Sequence, residues 1–252
     1  FSNILNIVIS HVVDNTTTQV NLLDSLGEAT ETNIPLTFYD NFTDIVKYNF
    51  IHTMNNMGNP DTMIIDPVLK YKVVAHTIPP VESDVITIIP GKHTVIPLRT
   101  PQGKLKIILN TKKDYQFIVK KTNENQTINV QNINTTQNYI TGYYDIELLT
   151  LPRQYFQNIR INHNQLTKLQ LPSTGLANIL LPAKGFGGVY LKDGDKLTEI
   201  YKFNGESNQY KLTLLPGKYS VVYRAKSSKK YIYTNEKSFI IKSGKSQLIK
   251  IY

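Results

Sequence analysis

The chain has 252 residues with 28 Lys and Arg, 19 Asp and Glu and no Cys, which gives a formal net charge of +9. The absence of Cys excludes disulfide scaffolds, thiolate zinc sites and cysteine nucleophiles. No apolar run reaches the ~20 residues of a membrane-spanning helix, and 40% hydrophobic residues exclude a disordered chain. Abundant Ile, Thr and Tyr favour strands over helices, so the composition predicts a mainly β protein.

The first hundred residues predict a module that is less regular than the rest. Asn6–Val13 and Asn33–Tyr39 have the character of strands. Apolar residues within Asn41–Met54 recur at close to helical spacing, and Asp40 or Asn41 is a candidate cap, so we predict a short helix there. Thr18–Leu26 fits either a helix or a hairpin.

Short strands separated by turn residues follow at intervals typical of a β-sandwich. In residues 101–173 the predicted strands are Leu105–Leu109, Tyr115–Lys120, Ile128–Ile133, Tyr143–Leu151, Asn158–Ile161 and Thr167–Leu171. In residues 174–252 they are Ala177–Leu181, Gly188–Leu191, Leu197–Phe203, Tyr210–Leu214, Tyr219–Ala225, Tyr231–Thr234, Ser238–Lys242 and Gln247–Tyr252.

One pattern occurs three times without a gap. Apolar residues occupy its positions 1, 3, 11 and 13, as expected for two strands with one buried face. Gly or Asn occupies position 6, where a hairpin turn needs a residue that tolerates positive φ. The three copies are Ile86–Leu98, Ile159–Leu171 and Phe239–Ile251, with Gly91, Asn164 and Gly244 at position 6. We therefore predict three modules that each end on the same hairpin, with boundaries 1–100, 101–173 and 174–252.

An apolar residue followed by Pro precedes each hairpin, at Ile78–Pro79, Leu151–Pro152 and Leu215–Pro216. The distance from Pro to the turn residue is 12, 12 and 28 positions, so we predict that the third copy contains 16 extra residues. We predict that these extra residues lie around Tyr219–Thr234.

Some of these residues resemble known families. The run from Leu214 to Val222, with Pro-Gly-Lys-Tyr at its centre and the third hairpin after it, resembles the seven-stranded sandwiches of the carboxypeptidase-regulatory and transthyretin-like kind. A wider set of motifs resembles regions downstream of von Willebrand A domains in Bacteroidota envelope proteins: Ile65–Pro67, Val74–Pro80, Pro90–His93 and Thr100–Gly103. The metal motif of the A domain, Asp-x-Ser-x-Ser, is not in this sequence.

This resemblance implies a non-catalytic, exported protein located in the periplasm, at the outer membrane or on the cell surface. Asp24-Ser25-Leu26 and Asp61-Thr62-Met63 also resemble the O-glycosylation sequon of that phylum.

No spacing in the sequence predicts catalysis, a metal site or a cofactor. The five His residues lie far apart, and neither a zinc-protease nor a nucleophile-elbow motif is present. We interpret the Gly-rich run Lys184–Gly188 as a bend entering a strand, Asp193-Gly-Asp195 as a hairpin tip, and Asp145 with Glu147 as a solvated strand face. The sequence therefore predicts a protein that is not an enzyme.

The charge is distributed unevenly. The first module has 5 Lys and Arg against 10 Asp and Glu, the second has 9 against 4, and the third has 14 against 5. A cluster of cations beside tyrosines in the third module predicts a binding site, because loops on rigid sandwiches often bind partners. The site consists of Arg224, Lys226, Lys229, Lys230, Tyr231 and Tyr233.

These patterns predict tandem antiparallel β-sandwiches that act as a structural or adaptor protein of a secreted or envelope assembly. The expected partner is a protein of an envelope or secretion complex, or an acidic glycan; no signature of a nucleic-acid-binding fold accompanies the cations. The alternatives are a glycan- or host-binding adhesin and an accessory module of an exported hydrolase.

Overall fold

The computed structural model describes residues 15–228 and 234–252, and the predicted strands Asn6–Val13 and most of Tyr231–Thr234 lie outside them. The described residues form 22 strands and no helix. The first set contains β1 (Thr17–Leu23), β2 (Pro35–Asp40), β3 (Val46–Ile51), β4 (Thr62–Ile64), β5 (Lys70–Ala75), β6 (Val81–Glu82), β7 (Ile86–Thr87) and β8 (His93–Arg99). The second contains β9 (Gln102–Ile108), β10 (Gln116–Lys121), β11 (Thr127–Asn132), β12 (Gln137–Ile140), β13 (Gly142–Leu148), β14 (Gln154–Ile161) and β15 (Leu166–Gln170). The third contains β16 (Gly175–Leu180), β17 (Gly185–Asp193), β18 (Lys196–Lys202), β19 (Gln209–Leu214), β20 (Gly217–Ala225), β21 (Asn235–Ile241) and β22 (Ser246–Lys250).

The same arrangement of sheets recurs in all three sets. One sheet of each set has three strands, in the orders β4-β1-β8, β12-β9-β15 and β19-β16-β22. The other sheet has the order β3-β2-β5-β6, with β7 also on β5, then β11-β10-β13-β14, then β18-β17-β20-β21. The predicted tandem β-sandwich class is confirmed. Two pairings between the first and last strands of a set are parallel, β1 with β8 and β16 with β22, so the sheets are not purely antiparallel.

The chain divides into two compact units. The first comprises residues 1–105, 136–143 and 160–167, and the second comprises residues 106–135, 144–159 and 168–252. These limits pass through strands of the middle set, so the three module boundaries remain a prediction.

The core of the first unit lies between the two sheets of the first strand set. Val20 and Leu22 of β1 contribute from one sheet, and Leu36, Phe38 and Tyr71 contribute from the other. These side chains alternate with more exposed ones along β1 and at the start of β5, as the two-residue period of a β-strand requires. Burial of such side chains stabilises the sandwich by roughly 1.5–3 kcal/mol each.

The core of the second unit has the same design. Ile179 of β16 and Leu214 of β19 face Val189 of β17 and Tyr219 and Val221 of β20 in one apolar cluster. The Tyr219 hydroxyl donates a hydrogen bond of 2.6 Å to the carbonyl of Leu215. Burial of the polar hydroxyl is therefore compensated by a partner.

The turns predicted at the end of each copy are present, but the hairpins are not, so that part of the prediction is wrong. At each turn the chain crosses from one sheet to the other, and the two flanking strands (β7 and β8, β14 and β15, β21 and β22) belong to different sheets. Gly91, Asn164 and Gly244 have φ of 69°, 54° and 67°, in the region that Gly and Asn tolerate best. The first two copies share a further contact: Thr77 Oγ1 donates to the Pro79 carbonyl at 2.6 Å, and Thr150 Oγ1 to the Pro152 carbonyl at 2.8 Å.

The third Pro step is not equivalent to the first two, so that prediction is wrong. Pro79 and Pro152 follow β5 and β13, whereas Pro216 precedes β20. The buried tyrosines near the start of these strands give the correct alignment: Tyr71, Tyr144 and Tyr219 precede their turn residues by 20, 20 and 25 positions. The third copy therefore has five extra residues between its tyrosine and its turn residue.

The helix predicted over Asn41–Met54 is also wrong, because this segment contains the turn after β2 and then β3, which pairs with β2 in a hairpin. Asp40 accepts hydrogen bonds from the Phe42 N–H at 3.0 Å and the Thr43 hydroxyl at 2.8 Å, and these bonds hold the pKa of its carboxyl below the usual value. They stabilise a tight turn instead of a first helical turn, and Asp44 follows with φ of 54°. Phe42 is 93% exposed, so no apolar helix face would have been buried. The undecided segment Thr18–Leu26 contains neither a helix nor a hairpin but β1.

Candidate functional site

The edges of the two sheets of the first strand set flank a shallow groove. β3 pairs only with β2, and β4 pairs only with β1, so each is an edge strand within the part of the chain that the structure describes. The groove has a volume of about 390 Å³ and is lined by Lys47, Tyr48, Asn49, Phe50, Asp61, Thr62 and Met63. An edge strand presents backbone N–H and C=O groups to any chain that lies beside it.

Half-buried side chains form the apolar floor of this groove. Tyr48, Phe50 and Met63 pack against the core of the first unit. The rings of Tyr48 and Phe50 each lie 6.0 Å from that of Phe38, one edge-on and the other stacked. The ring centres of buried Tyr71 and Tyr48 lie 6.1 Å apart. Burial raises the pKa of the Tyr71 hydroxyl well above the ordinary value. The rings that form the floor are therefore fixed in place by their contacts with buried Phe38 and Tyr71.

The outer side of the same edge is apolar as well. Val46 and Ile51 at the two ends of β3 are 50% and 61% exposed, and Ile64 of β4 is 56% exposed. Protective features of edge strands include charged side chains, proline and short length. β4 is short, but β3 has six residues and a single Lys, Lys47. This edge can accept an extended peptide as an additional strand, with apolar contacts along its length.

Three carboxylates surround the edge. Asp44 lies at the tip of the β2–β3 hairpin, Asp61 immediately precedes β4, and Asp66 closely follows it; all three are exposed. Asp61 accepts a hydrogen bond from the Thr53 hydroxyl. The Asp66 carbonyl accepts one of 2.9 Å from the buried Tyr71 hydroxyl. The surroundings of the groove therefore favour a cationic partner segment.

Of the six site residues predicted from the sequence, the structure describes two. Arg224 lies on β20 opposite Phe186 of β17, and Lys226 follows the strand. Lys226 Nζ is 2.6 Å from Glu206 Oε1 and 5.8 Å from the centre of the Phe186 ring. Lys229, Lys230, Tyr231 and Tyr233 lie outside the described residues.

The sequence prediction missed Glu206, which lies between two lysines. Lys184 Nζ is 4.0 Å from Glu206 Oε2, and the bond from Lys226 lowers the pKa of the Glu206 carboxyl. Because this carboxylate offsets part of the local positive charge, Lys226 is less available to an anion than the sequence alone indicates. The basic site remains a prediction.

The other polar motifs have structural contacts. Glu147 forms an ion pair with Arg153, and Asp145 accepts hydrogen bonds of 2.9 Å from the Thr122 hydroxyl and the Asn158 N–H. No group of three or more His, Asp or Glu residues capable of holding a metal occurs in residues 15–228 and 234–252. In the same ranges no helix is long and apolar enough to cross a membrane.

No protein-family model matches the chain, and no curated protein matches it. Three solved structures with similarity are the Bacillus anthracis TIE protein (14% identity, TM-score 0.25), the minor pilin GBS52 of Streptococcus agalactiae (10%, 0.28) and the pilus adhesin SpaC of Lactobacillus rhamnosus GG (8%, 0.23). The matches cover 94%, 94% and 93% of this chain, and 50%, 94% and 42% of the respective neighbours. The chain thus spans half of the TIE protein. TM-scores this low say nothing about function.

Proposed function

We propose that this chain is a non-catalytic structural or adaptor protein of a secreted or envelope assembly, and that it binds a partner protein by strand addition at β3. The observation that supports this most is the open β3 edge beside a fixed aromatic floor. The proposed occupant is an extended, cationic segment of the partner. Asp44, Asp61 and Asp66 favour positive charge beside the edge, and the first module as a whole is acidic.

Strand addition explains why the binding surface needs no deep cavity. Backbone hydrogen bonds along the edge give affinity for any extended chain, and alternate side chains give specificity through their contacts. Tyr48, Phe50 and Met63 would contact every second side chain of the added strand.

A double variant with Val46→Lys and Ile51→Lys tests this proposal. Both side chains are exposed, so we expect the variant to fold with a stability within about 0.5 kcal/mol of the wild type. Two added cations on an edge that binds a cationic strand should lower partner affinity at least tenfold, equivalent to about 1.4 kcal/mol. The measurement is the amount of stoichiometric partner that co-purifies with the tagged chain from its native host.

Val130→Lys is the matched control, because Val130 is 48% exposed on β11, an edge strand of the second unit. We expect this variant to retain the partner. Recovery of the chain alone as a monomer, or equal loss of the partner in both variants, would contradict the proposal.

A further inference from the structure

A polar site in the first unit shares no lining residue with the groove beside β3. Ser25 Oγ is 3.1 Å from His163 Nδ1, and His163 Nε2 is 2.8 Å from Glu31 Oε1. A carboxylate only accepts, so Nε2–H donates to Glu31, and in the neutral ring Nδ1 accepts the Ser25 proton. The Gln102 N–H and side-chain amide donate to the two oxygens of Glu31 at 3.3 and 3.4 Å. Glu31, which is itself held by Gln102, therefore fixes the orientation of the His163 imidazole.

This order of Ser, His and Glu is also that of a catalytic triad, but the surrounding backbone is not arranged for acyl transfer. An oxyanion site usually uses the N–H of the residue after the nucleophile. Here the Leu26 N–H donates to Asp24 Oδ1 at 2.8 Å, the Glu28 N–H donates to the same oxygen at 3.0 Å, and the Gly27 N–H donates to the Asp24 carbonyl at 3.3 Å. Because all three donors are bound to Asp24, none is directed at a reacting carbonyl beside Ser25.

Ser25 and His163 also line an open cleft of about 360 Å³, a volume in the range of small-ligand sites. The cleft is lined by Ser25, Thr141, Gly142, Tyr143, Arg160, Ile161, Asn162 and His163. The guanidinium of Arg160 lies 5.8 Å from the centre of the Tyr143 ring. Tyr143 is 53% exposed. Within the described part of the chain, no carboxylate is within ion-pair distance of Arg160.

We infer that this cleft binds a carboxylated sugar, such as a uronic or sialic acid residue of a glycan. One arginine without a carboxylate partner matches one carboxylate, which it can bind through two parallel hydrogen bonds. The exposed Tyr143 ring offers an apolar surface for the face of a sugar ring. The hydroxyls of Ser25 and Thr141 and the amide of Asn162 match a ligand that carries several hydroxyl groups.

This inference does not depend on strand addition at β3. It gives Glu31 and His163 a positioning role, because they hold the Ser25 hydroxyl that would contact the ligand. Glu31 and Gln102 hold the imidazole, and the imidazole holds the Ser25 hydroxyl toward the cleft. Neither residue 25 nor residue 31 is near residue 163 in the sequence, so only the fold brings the trio together.

Titration of the isotope-labelled full chain, followed by amide NMR shifts, tests the inference. The probes are the methyl glycosides of glucuronic acid and N-acetylneuraminic acid, each compared with its methyl ester, which keeps the ring and removes the charge. We expect both acids to shift resonances of residues 141–143 and 160–163 and the esters to bind at least tenfold more weakly. Arg160→Gln should weaken binding of the acids by at least the same factor with an unchanged melting temperature.

Arg153→Gln is the matched control, because Arg153 lies in the same segment of chain but pairs with Glu147 outside the cleft. It should bind like the wild type. The inference is overturned if neither acid causes a saturable shift at about 10 mM, a concentration that detects even millimolar binding, or if Arg160→Gln binds equally well. It is also overturned if an Asp-rich peptide binds as tightly as the sugars, or if the chain hydrolyses p-nitrophenyl acetate and Ser25→Ala abolishes that activity.

Discussion

Gly187→Ala should destabilise the second unit far more than a typical single substitution. Gly187 lies where β17 pairs with β20, with φ of 135°, in a backbone region that residues with a Cβ rarely adopt. An added Cβ would overlap the Val222 carbonyl oxygen and lie 2.8 Å from its carbonyl carbon and 3.0 Å from Tyr223 Cα. These neighbours are backbone atoms of a central strand, so they cannot rotate away.

Two costs combine at this position. Backbone strain contributes about 1–3 kcal/mol, and forced displacement of a packed strand contributes about 1–3 kcal/mol more. Gly194→Ala is the control, at the turn that joins β17 to its other neighbour, β18. Gly194 has φ of 58°, but no atom lies within 4 Å of the position that an added Cβ would occupy. We expect only about 1–2 kcal/mol there.

Urea unfolding followed by circular dichroism measures both free energies of unfolding. We expect Gly187→Ala to lose about 4 kcal/mol and to shift the melting temperature by roughly 8–16 °C, since each kcal/mol corresponds to about 2–4 °C in a chain of this size. A loss for Gly187→Ala that is no larger than the loss for Gly194→Ala would refute the reasoning.

Three other predictions concern single side chains. His52 donates from Nε2 to the Val20 carbonyl, and burial lowers the pKa of its imidazole. Because the unfolded chain then binds a proton more readily than the folded chain, stability should fall as pH drops below about 6.5. The slope of unfolding free energy against pH should flatten in His52→Gln. Tyr219→Phe should cost about 1–3 kcal/mol in thermal unfolding, because the buried Leu215 carbonyl loses its donor; no loss would show that water replaces the hydroxyl. Asn164→Ala should cost about 1–2 kcal/mol by the same measurement and Asn164→Gly should cost less, because only the alanine is strained at positive φ; equal losses would contradict this.

The sequence predicts local structure well where one residue determines a turn. Gly91, Asn164 and Gly244 mark their turns because few other residues tolerate positive φ, although the turns join strands of different sheets and do not form hairpins. The helix prediction fails at Asn41–Met54 because it assumed that the spaced apolar residues form one buried face. Phe42 and its apolar neighbours are exposed instead, so their spacing carries no information about a helix. The short strand β12 is missed because Gln137–Ile140 is half polar and lies between turn residues.

Features that depend on distant parts of the chain could not be predicted in this way. The parallel pairing of β1 with β8 joins residues about 76 positions apart, and no periodicity encodes it. The meeting of Ser25 and Glu31 with His163 depends on the same kind of long-range topology. The β3 edge is invisible in the sequence for a similar reason, because an edge is defined by the absence of a neighbour in the sheet.

Amide hydrogen exchange on the free chain and on its purified native complex tests strand addition at β3 most directly. An added strand bonds the backbone groups on the outer edge of β3, so the amides of residues 46–51 that are not already bonded to β2 should exchange at least tenfold more slowly in the complex. Those of the other edge strand β11 should keep their rates. Unchanged exchange across residues 46–51 in a complex that protects some other surface would contradict the account.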